Sequence, residues 1–324
     1  MKVKFLGTAA AEGWPGVFCE CENCRRAREA GGKNIRTRSS ILLNDIYKVD
    51  LPPDTYLHVL KYGLNLAEIE HIFITHSHQD HFYFEELNMR RPPFAHMAEG
   101  RVTTIYGNDK VGDAIASMVE NPGYRLRFRR CEPFRSFTAG DMKVTPMRAD
   151  HAYDQVAMFY LFEYLPEGKT VLVGFDTGWY PTDTWEALSQ FRLDMAIFDC
   201  TNGAREGRRG HMGISAVVEL KVELEKMGVL RADSLCFATH FSHNGGLLHH
   251  QLEEALGPYG IQPAYDGLEV ELYKLDRAFR PVVLIALCSL CLPFIGGYAV
   301  GETFGEKGIF LGTALCTTSL GVVL

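Results

Sequence analysis

The densest run of metal-ligating side chains is Thr75-His76-Ser77-His78-Gln79-Asp80-His81. Three imidazoles and a carboxylate within six residues suit a pair of divalent cations. Imidazole serves zinc or iron, and carboxylate extends the choice to manganese. The run follows Ile72-Phe73-Ile74, so it is expected at the C-terminal end of a strand. In extended backbone residues i, i+2 and i+4 face one side. His76, His78 and Asp80 are therefore expected to converge, with His81 offset by the turn that follows. The bland alternative is a solvated loop, but His-rich tracts more often bind metal.

One motif cannot complete two metal shells. His151 follows the apolar run Met142–Met147, Asp176 follows Val171–Phe175, and His240 follows Leu235–Thr239. A single histidine at a strand end is usually structural, but three groups at matching topological positions reinforce one another. Cys19, Cys21 and Cys24 form a second constellation, Cys-x-Cys-x-x-Cys. Such close thiolates suit a tetrahedral structural zinc that needs one more ligand. His243, three residues past His240, is the candidate. One short loop would then serve both metal sites.

The elements that must position these groups mix strands and helices. Strand patterning falls on Val3–Gly7, Ser40–Leu43, Tyr47–Leu51, Ile72–Thr75, Val102–Tyr106, Met142–Met147, Ala157–Tyr164, Thr170–Phe175, Met195–Asp199, Ser234–Thr239 and Val270–Tyr273. Helical patterning falls on Glu22–Glu29, Asp109–Val119, Asp183–Gln190, Ile214–Met227 and His250–Leu256. With 47% hydrophobic and 23% charged residues in 324, the chain has globular proportions. Its net charge of −7 argues against broad nucleic-acid binding, which needs a basic footprint. Nine cysteines are too few for a disulfide scaffold, and Met-Lys-Val-Lys-Phe-Leu-Gly contains no run of signal-peptide length. A cytoplasmic, reducing location is expected.

Composition breaks near residue 280. Residues 1–278 are read as the catalytic domain and 279–324 as a hydrophobic membrane segment. Pro281–Val300 is uncharged and long enough to span a bilayer, and Gly308–Leu324 is a shorter uncharged run. Lys274, Arg277 and Arg280 precede the first run and favour a cytoplasmic N-terminal side. A buried hairpin of the soluble domain is the alternative. The Pro-Phe-x-x-Gly-Tyr and Thr-Ser-Leu-Gly patterns at 293–298 and 318–321 resemble a fragment of a cation–proton antiporter membrane domain.

Residues 1–275 resemble the metallo-β-lactamase superfamily. The carriers are Leu6-Gly7-Thr8, His76-x-His78-x-Asp80-His81, and then His151, Asp176 and His240 in family order. The resemblance implies an α/β four-layer αββα sandwich with the site at one edge of two packed sheets. It implies a first metal on His76, His78 and His151, a second on Asp80, His81 and His240, and Asp176 bridging both. Histidine rather than glutamate at position 78 disfavours the flavodiiron branch. The cysteine cluster together with His240-x-x-His243 looks like the phosphoribosyl cyclic phosphodiesterase branch. It also looks like the pyrroloquinoline quinone biosynthesis B branch, but the complete set of seven ligands favours the first.

The expected function is hydrolysis of a small cyclic or nucleotide-like phosphate ester by a hydroxide bridging two Zn or Mn ions, beside one structural Zn. Such ions lower the pKa of water and stabilise charge developing on the phosphate. A leaving alkoxide needs a proton. His211, in a Gly-rich loop where the resemblance places an active-site histidine, is the candidate donor. Asp80 is the other catalytic candidate. The competing class is a non-hydrolytic cofactor-biosynthesis binding protein. Expected partners are the small ester, a membrane through the C-terminal tail, and a second copy in a homodimer. His58, His71, His96, His249 and His250 are read as surface or packing residues.

Overall fold

The computed structural model describes residues 1–273. The segment 279–324 expected at a membrane, and the boundary near 278, lie outside the described residues. Among the described residues no helix is long and apolar enough to cross a membrane.

Side-chain alternation along the strands explains the layers. The first sheet contains β1 (Lys2–Gly7), β2 (Ser40–Leu43), β3 (Tyr47–Val49), β4 (His71–Phe73), β5 (Thr103–Gly107) and β6 (Leu126–Arg130). The second contains β7 (Phe137–Ala139), β8 (Met142–Arg148), β9 (Met158–Tyr164), β10 (Lys169–Gly174), β11 (Leu193–Asp199), β12 (Leu230–Thr239) and β13 (Ile261–Pro263). A last strand, β14 (Glu269–Glu271), returns to pair with β1. Val171 and Val173 of β10, with Met195 and Ile197 of β11, pack against Val3, Phe5, Val49 and Phe73 of the first sheet. The alternate residues Leu172, Ala196 and Phe198 face away. Period 2 thus buries both faces of each sheet.

Helices cover those outer faces. On the first sheet lies α3 (Asp109–Glu120), which buries Val111, Ile115 and Met118 at helical spacing. The side chain of Asn108 caps it by accepting from the Val111 N–H. On the second sheet, α5 (Ile214–Lys226) buries Ala216, Val217, Leu220 and Leu224. Helices α1 (Glu22–Ala30), α4 (Thr182–Leu188) and α6 (His249–Leu256) add Cys24, Ala27, Leu188, Leu252 and Leu256 to the same core. The result is the expected αββα sandwich.

Helix α2 (Thr55–Tyr62) was not expected. It buries the polar Thr55 and His58 while Tyr56, Leu57 and Leu60 are exposed, which inverts the usual amphipathic signature. Strands β6, β7 and β13 were also not expected. β7 and β13 are only three residues long, and β6 carries arginine at three of its five positions.

Strand direction determines where the chemistry collects. In the second sheet β8 and β10 each run antiparallel to β9, and β10 to β13 run parallel. β8, β10, β11 and β12 therefore end at one edge. In the first sheet β3 to β6 run parallel.

Candidate metal centre

Each candidate ligand sits just beyond a strand. His76 follows β4, His151 follows β8, Asp176 lies two residues past β10, and His240 is the residue after β12. The structure brings all seven together. Nε2 of His76 and Nε2 of His151 lie 2.8 and 3.3 Å from Nδ1 of His78. Nε2 of His81 lies 3.1 Å from Oδ2 of Asp80 and 3.2 Å from Nε2 of His240. Donor atoms of His76, His78 and His151 all fall within 4.8 Å of one another, as do those of Asp80, His81, Asp176 and His240.

Asp176 stands between the two groups. Its Oδ2 is 3.2 Å from Nε2 of His76, 3.4 Å from Nε2 of His151 and 3.0 Å from Nε2 of His81. Its Oδ1 is buried and makes no hydrogen bond. The donor set fits two cations. Lone pairs of imidazoles directed at one point repel, and a shared divalent ion converts that repulsion into coordination.

The grouping departs from simple alternation. β4 ends at Phe73, and the chain then turns, with the N–H groups of His81 and Phe82 both donating to the carbonyl of His78. His76 and His78 therefore join His151, while Asp80 and His81 join His240. His81 is a full member of its group rather than an offset neighbour.

Buried polar groups fix the rings. His81 Nδ1 donates to Oδ2 of Asp50 at 2.6 Å, and Asp50 also accepts from the Thr75 N–H at 2.8 Å. His76 Nδ1 donates to Oγ1 of Thr75 at 3.0 Å, and that hydroxyl donates to Asp50. His240 Nδ1 donates to Oγ1 of Thr201 at 2.7 Å, and Thr201 donates to Asp199 at 2.9 Å. Committing Nδ1 leaves the Nε2 lone pair aimed inward, the arrangement that orients metal-binding histidines. Asp50, Thr75, Asp199 and Thr201 were not expected as site residues. Asp199, the last residue of β11, and Asp50, the residue after β3, carried a readable signal, since each stands at a strand end close to where the candidate ligands stand on theirs; the two threonines carried none.

Burial pushes His76, His151 and His240 below the ordinary imidazole value, toward the neutral form that coordinates metal. Asp50, Asp176 and His240 have φ of 60°, 55° and 62°. Non-glycine residues in the left-handed region cost about 1–3 kcal/mol each and cluster at functional sites.

His211 reaches the same edge from the loop before α5. Its Nδ1 lies 3.2 Å from both Oδ1 of Asp176 and Oδ2 of Asp199. Burial opposes its charge, but Asp199 and Asp176 outweigh burial and raise it to about 9.

Cys19, Cys21, Cys24 and His243 form a separate cluster with donor atoms within 4.8 Å of one another. Nδ1 of His243 is 3.3 Å from the Cys21 sulfur and 3.8 Å from the Cys19 sulfur. Three thiols and an imidazole fit a tetrahedral zinc. His243 is also held from outside, because Asn23 Nδ2 donates to its carbonyl at 2.9 Å.

Two helix-covered sheets with a His/Asp cluster at one edge define a metallo-β-lactamase fold. The profile of the beta-lactamase superfamily domain matches residues 54–240, more than half of the chain, and the protein belongs to that family. The match runs through His76 to His240 and leaves the cysteine cluster outside it. Among solved structures, the chain is similar to a diphosphatase of the PhnP family, with TM-score 0.64, 21% identity, and coverage of 84% of this chain and 98% of that one. It is similar to Zn(2+)-bound PqqB from Methylobacterium extorquens, with TM-score 0.62, 17% identity, and coverage of 84% and 100%. It is also similar to the short form of human tRNase Z, with TM-score 0.57, 18% identity, and coverage of 85% and 100%. These likenesses show the fold. A stretch of 61 residues is 39% identical to the probable Na(+)/H(+) antiporter GerT of Bacillus cereus, covering 18% of this chain and 16% of that protein. A stretch of 59 residues is 41% identical to the Na(+)/H(+)-K(+) antiporter GerN of the same organism, covering 17% and 15%. The chain thus spans about a sixth of the length of these curated relatives, and the antiporter likeness is minor and partial.

Proposed function

We propose that the protein is a metal-dependent phosphodiesterase acting on a small cyclic or nucleotide-like phosphate ester. The single observation that carries this reading is the position of Asp176, whose carboxylate faces His76 and His151 on one side and His81 and His240 on the other. His76, His78 and His151 would hold one zinc or manganese ion, Asp80, His81 and His240 a second, and Asp176 both. Two such ions, when bound, supply Lewis acidity toward a phosphoryl oxygen and lower the pKa of water to the neutral range. Cys19, Cys21, Cys24 and His243 would hold a structural zinc.

The protein's own residues complete the chemistry. His211 is the proton donor to the departing alkoxide. Its ring is partly exposed beside the cluster, and Asp199 and Asp176 favour its charged form at neutral pH. General acid catalysis of this kind contributes about 10²–10⁴-fold. Asp80 contributes a carboxylate at the second group. The low exposure of His76, His81, Asp176 and His240 excludes bulk water and keeps electrostatic interactions strong.

The family match and the complete His/Asp set support hydrolysis. The likeness to a diphosphatase supports a phosphate-containing substrate, and the likeness to a zinc-bound protein supports zinc. A non-hydrolytic role of the PqqB type is the second reading, supported by the fold likeness to Zn(2+)-bound PqqB; the cysteine cluster is common to both resembled branches and does not decide between them. The test is turnover by the full chain of bis(p-nitrophenyl) phosphate and of a 2′,3′-cyclic nucleotide, with zinc or manganese supplied. Metal-dependent turnover abolished in His78→Ala supports the phosphodiesterase. Absence of turnover with all sites loaded supports the second reading.

A further inference from the structure

Asp150 immediately precedes His151, and Gly210 immediately precedes His211. The Gly210 N–H donates to Oδ2 of Asp150 at 3.1 Å. One hydrogen bond therefore joins the neighbour of a metal-ligand candidate to the neighbour of the proton donor. The same residue collects three further bonds. The Gly178 N–H donates to the Asp150 carbonyl at 3.1 Å. The Asp150 N–H donates to Oγ1 of Thr177 at 2.9 Å. The Tyr153 hydroxyl donates to Oδ1 of Asp150 at 3.3 Å. Asp150 thus ties together the loops after β8 and β10 and the Gly-rich loop before α5.

The junction is closely packed. A Cβ on Gly178 would lie 2.4 Å from the Arg208 carbonyl oxygen, 2.5 Å from Oδ2 of Asp150 and 2.7 Å from the Gly210 nitrogen. The Trp179 N–H donates to that Arg208 carbonyl at 2.6 Å. Gly207, Gly210 and Gly213 give the His211 loop backbone freedom that must be removed for the imidazole to be aimed. Asp199 restrains the ring and, by accepting the Met212 N–H at 2.9 Å, the backbone after it, and Asn202 Nδ2 donates to the His211 carbonyl at 3.1 Å; Asp150 restrains the backbone that leads into His211 from the other side.

We propose that Asp150 is a positioning residue for His211, clipping the proton-donor loop to the metal edge so that the imidazole stands at a fixed distance from the leaving group. This rests on the reading of His211 as proton donor. A displacement of about 1 Å in such a group costs on the order of 10²-fold.

The readout is the ratio of kcat on a 2′,3′-cyclic nucleotide to kcat on bis(p-nitrophenyl) phosphate. The cyclic ester expels an alkoxide that needs a proton, while the aryl ester expels a stable phenolate. Asp150→Ala and Asp150→Ser, whose hydroxyl is too short to reach Gly210, are expected to lower this ratio about 10–100-fold. Asp150→Asn keeps an acceptor oxygen and is expected to stay within about threefold of the parent by the same reasoning. His211→Ala is expected to lower the ratio at least as far, and adding Asp150→Ala to it should lower it no further, as for residues acting as one unit. Amide hydrogen exchange across 205–213 supplies a readout free of turnover: faster in Asp150→Ala, protected in Asp150→Asn.

A ratio lowered by His211→Ala but unmoved by both Asp150→Ala and Asp150→Ser would overturn the positioning role and leave the phosphodiesterase standing. So would loss of the ratio in Asp150→Asn. If the parent protein turns over neither ester, the phosphodiesterase fails instead, and unchanged exchange in Asp150→Ala would then also refute the clip.

Discussion

Oδ2 of Asp50 stands 2.6 Å from Nδ1 of His81, and both side chains are fully buried. The pair converts a histidine that could rotate into one with Nε2 fixed toward Asp80, Asp176 and His240. Outer partners of this type, when removed, cost about 10–100-fold in metal affinity. Asp50→Ala is therefore expected to weaken, by that factor, one of the two ions proposed for the active site and to leave the zinc proposed at the cysteine cluster in place. Chelator competition with metal counting checks this. Equal retention of all ions by parent and variant would show that Asp50 does not serve the site.

The cysteine cluster makes a second prediction. His243 is three residues from His240, so a cation held by Cys19, Cys21, Cys24 and His243 would anchor the loop that aims His240. Cys24 is buried and accepts the Gly16 N–H at 3.2 Å. Cys24→Ser should lower the zinc count by one per chain and lower the melting temperature by several degrees, because structural zinc binding is folding free energy. An unchanged zinc count would remove the structural zinc from the proposal.

The seven candidate ligands were legible from local pattern, as apolar runs of strand length each followed by a histidine or aspartate. The αββα layering came instead from the resemblance to the metallo-β-lactamase superfamily, because periodicity alone does not choose between layered α/β architectures. Other parts were not legible, for reasons of long-range packing. Asp50 falls within the expected strand Tyr47–Leu51, but nothing nearby reveals that the pairing of β3 with β4 and the Leu51–His81 backbone bond bring His81 beside it. The turn at His78 defeated the alternation rule, since the strand stops at Phe73 and backbone bonds to the His78 carbonyl divide the motif between two clusters. Helix α2 hid because its exposed face is apolar. The positive φ values of Asp176 and His240 are imposed by the assembled sheet edge, so no short-range pattern announces them.

Packing between the sheets gives a third prediction. Phe73 ends β4, just ahead of the ligand motif, and is fully buried with ring centroids 4.6 Å from Tyr106 and 5.1 Å from Phe162. Phe73→Ala should destabilise by about 3–5 kcal/mol through lost burial and the cavity left behind. Leu60 on α2 is 64% exposed, so Leu60→Ala should remain within about 0.5 kcal/mol. Urea unfolding of the two variants compares them directly. Comparable losses would mean that the exposed face of α2 is covered in solution.

Lys48 supplies the pH dependence. It lies at the centre of β3 and is fully buried, with Nζ donating to the Asp50 carbonyl at 2.7 Å and to the Ser40 hydroxyl. Tyr47 and Val49 face the other sheet, so Lys48 faces the helix side. Burial lowers it to about 7 from 10.5, with the Asp50 charge opposing; His58 and Lys61 are the other charged or titratable groups of this region. A lysine depressed in the folded state penalises folding wherever the unfolded chain holds the extra proton. Below pH 7 the penalty is complete, because both states are protonated and the folded one is disfavoured. Between about 7 and 10.5 the folded lysine has released its proton and the penalty fades. Lys48→Met loses the same hydrogen bonds at every pH, so that cost cancels when two pH values are compared. Its stability relative to the parent should therefore be more favourable at pH 6 than at pH 9, by on the order of 2–3 kcal/mol. Denaturant unfolding at both pH values measures the difference. Equal differences would show that Lys48 keeps an ordinary lysine pKa despite its burial.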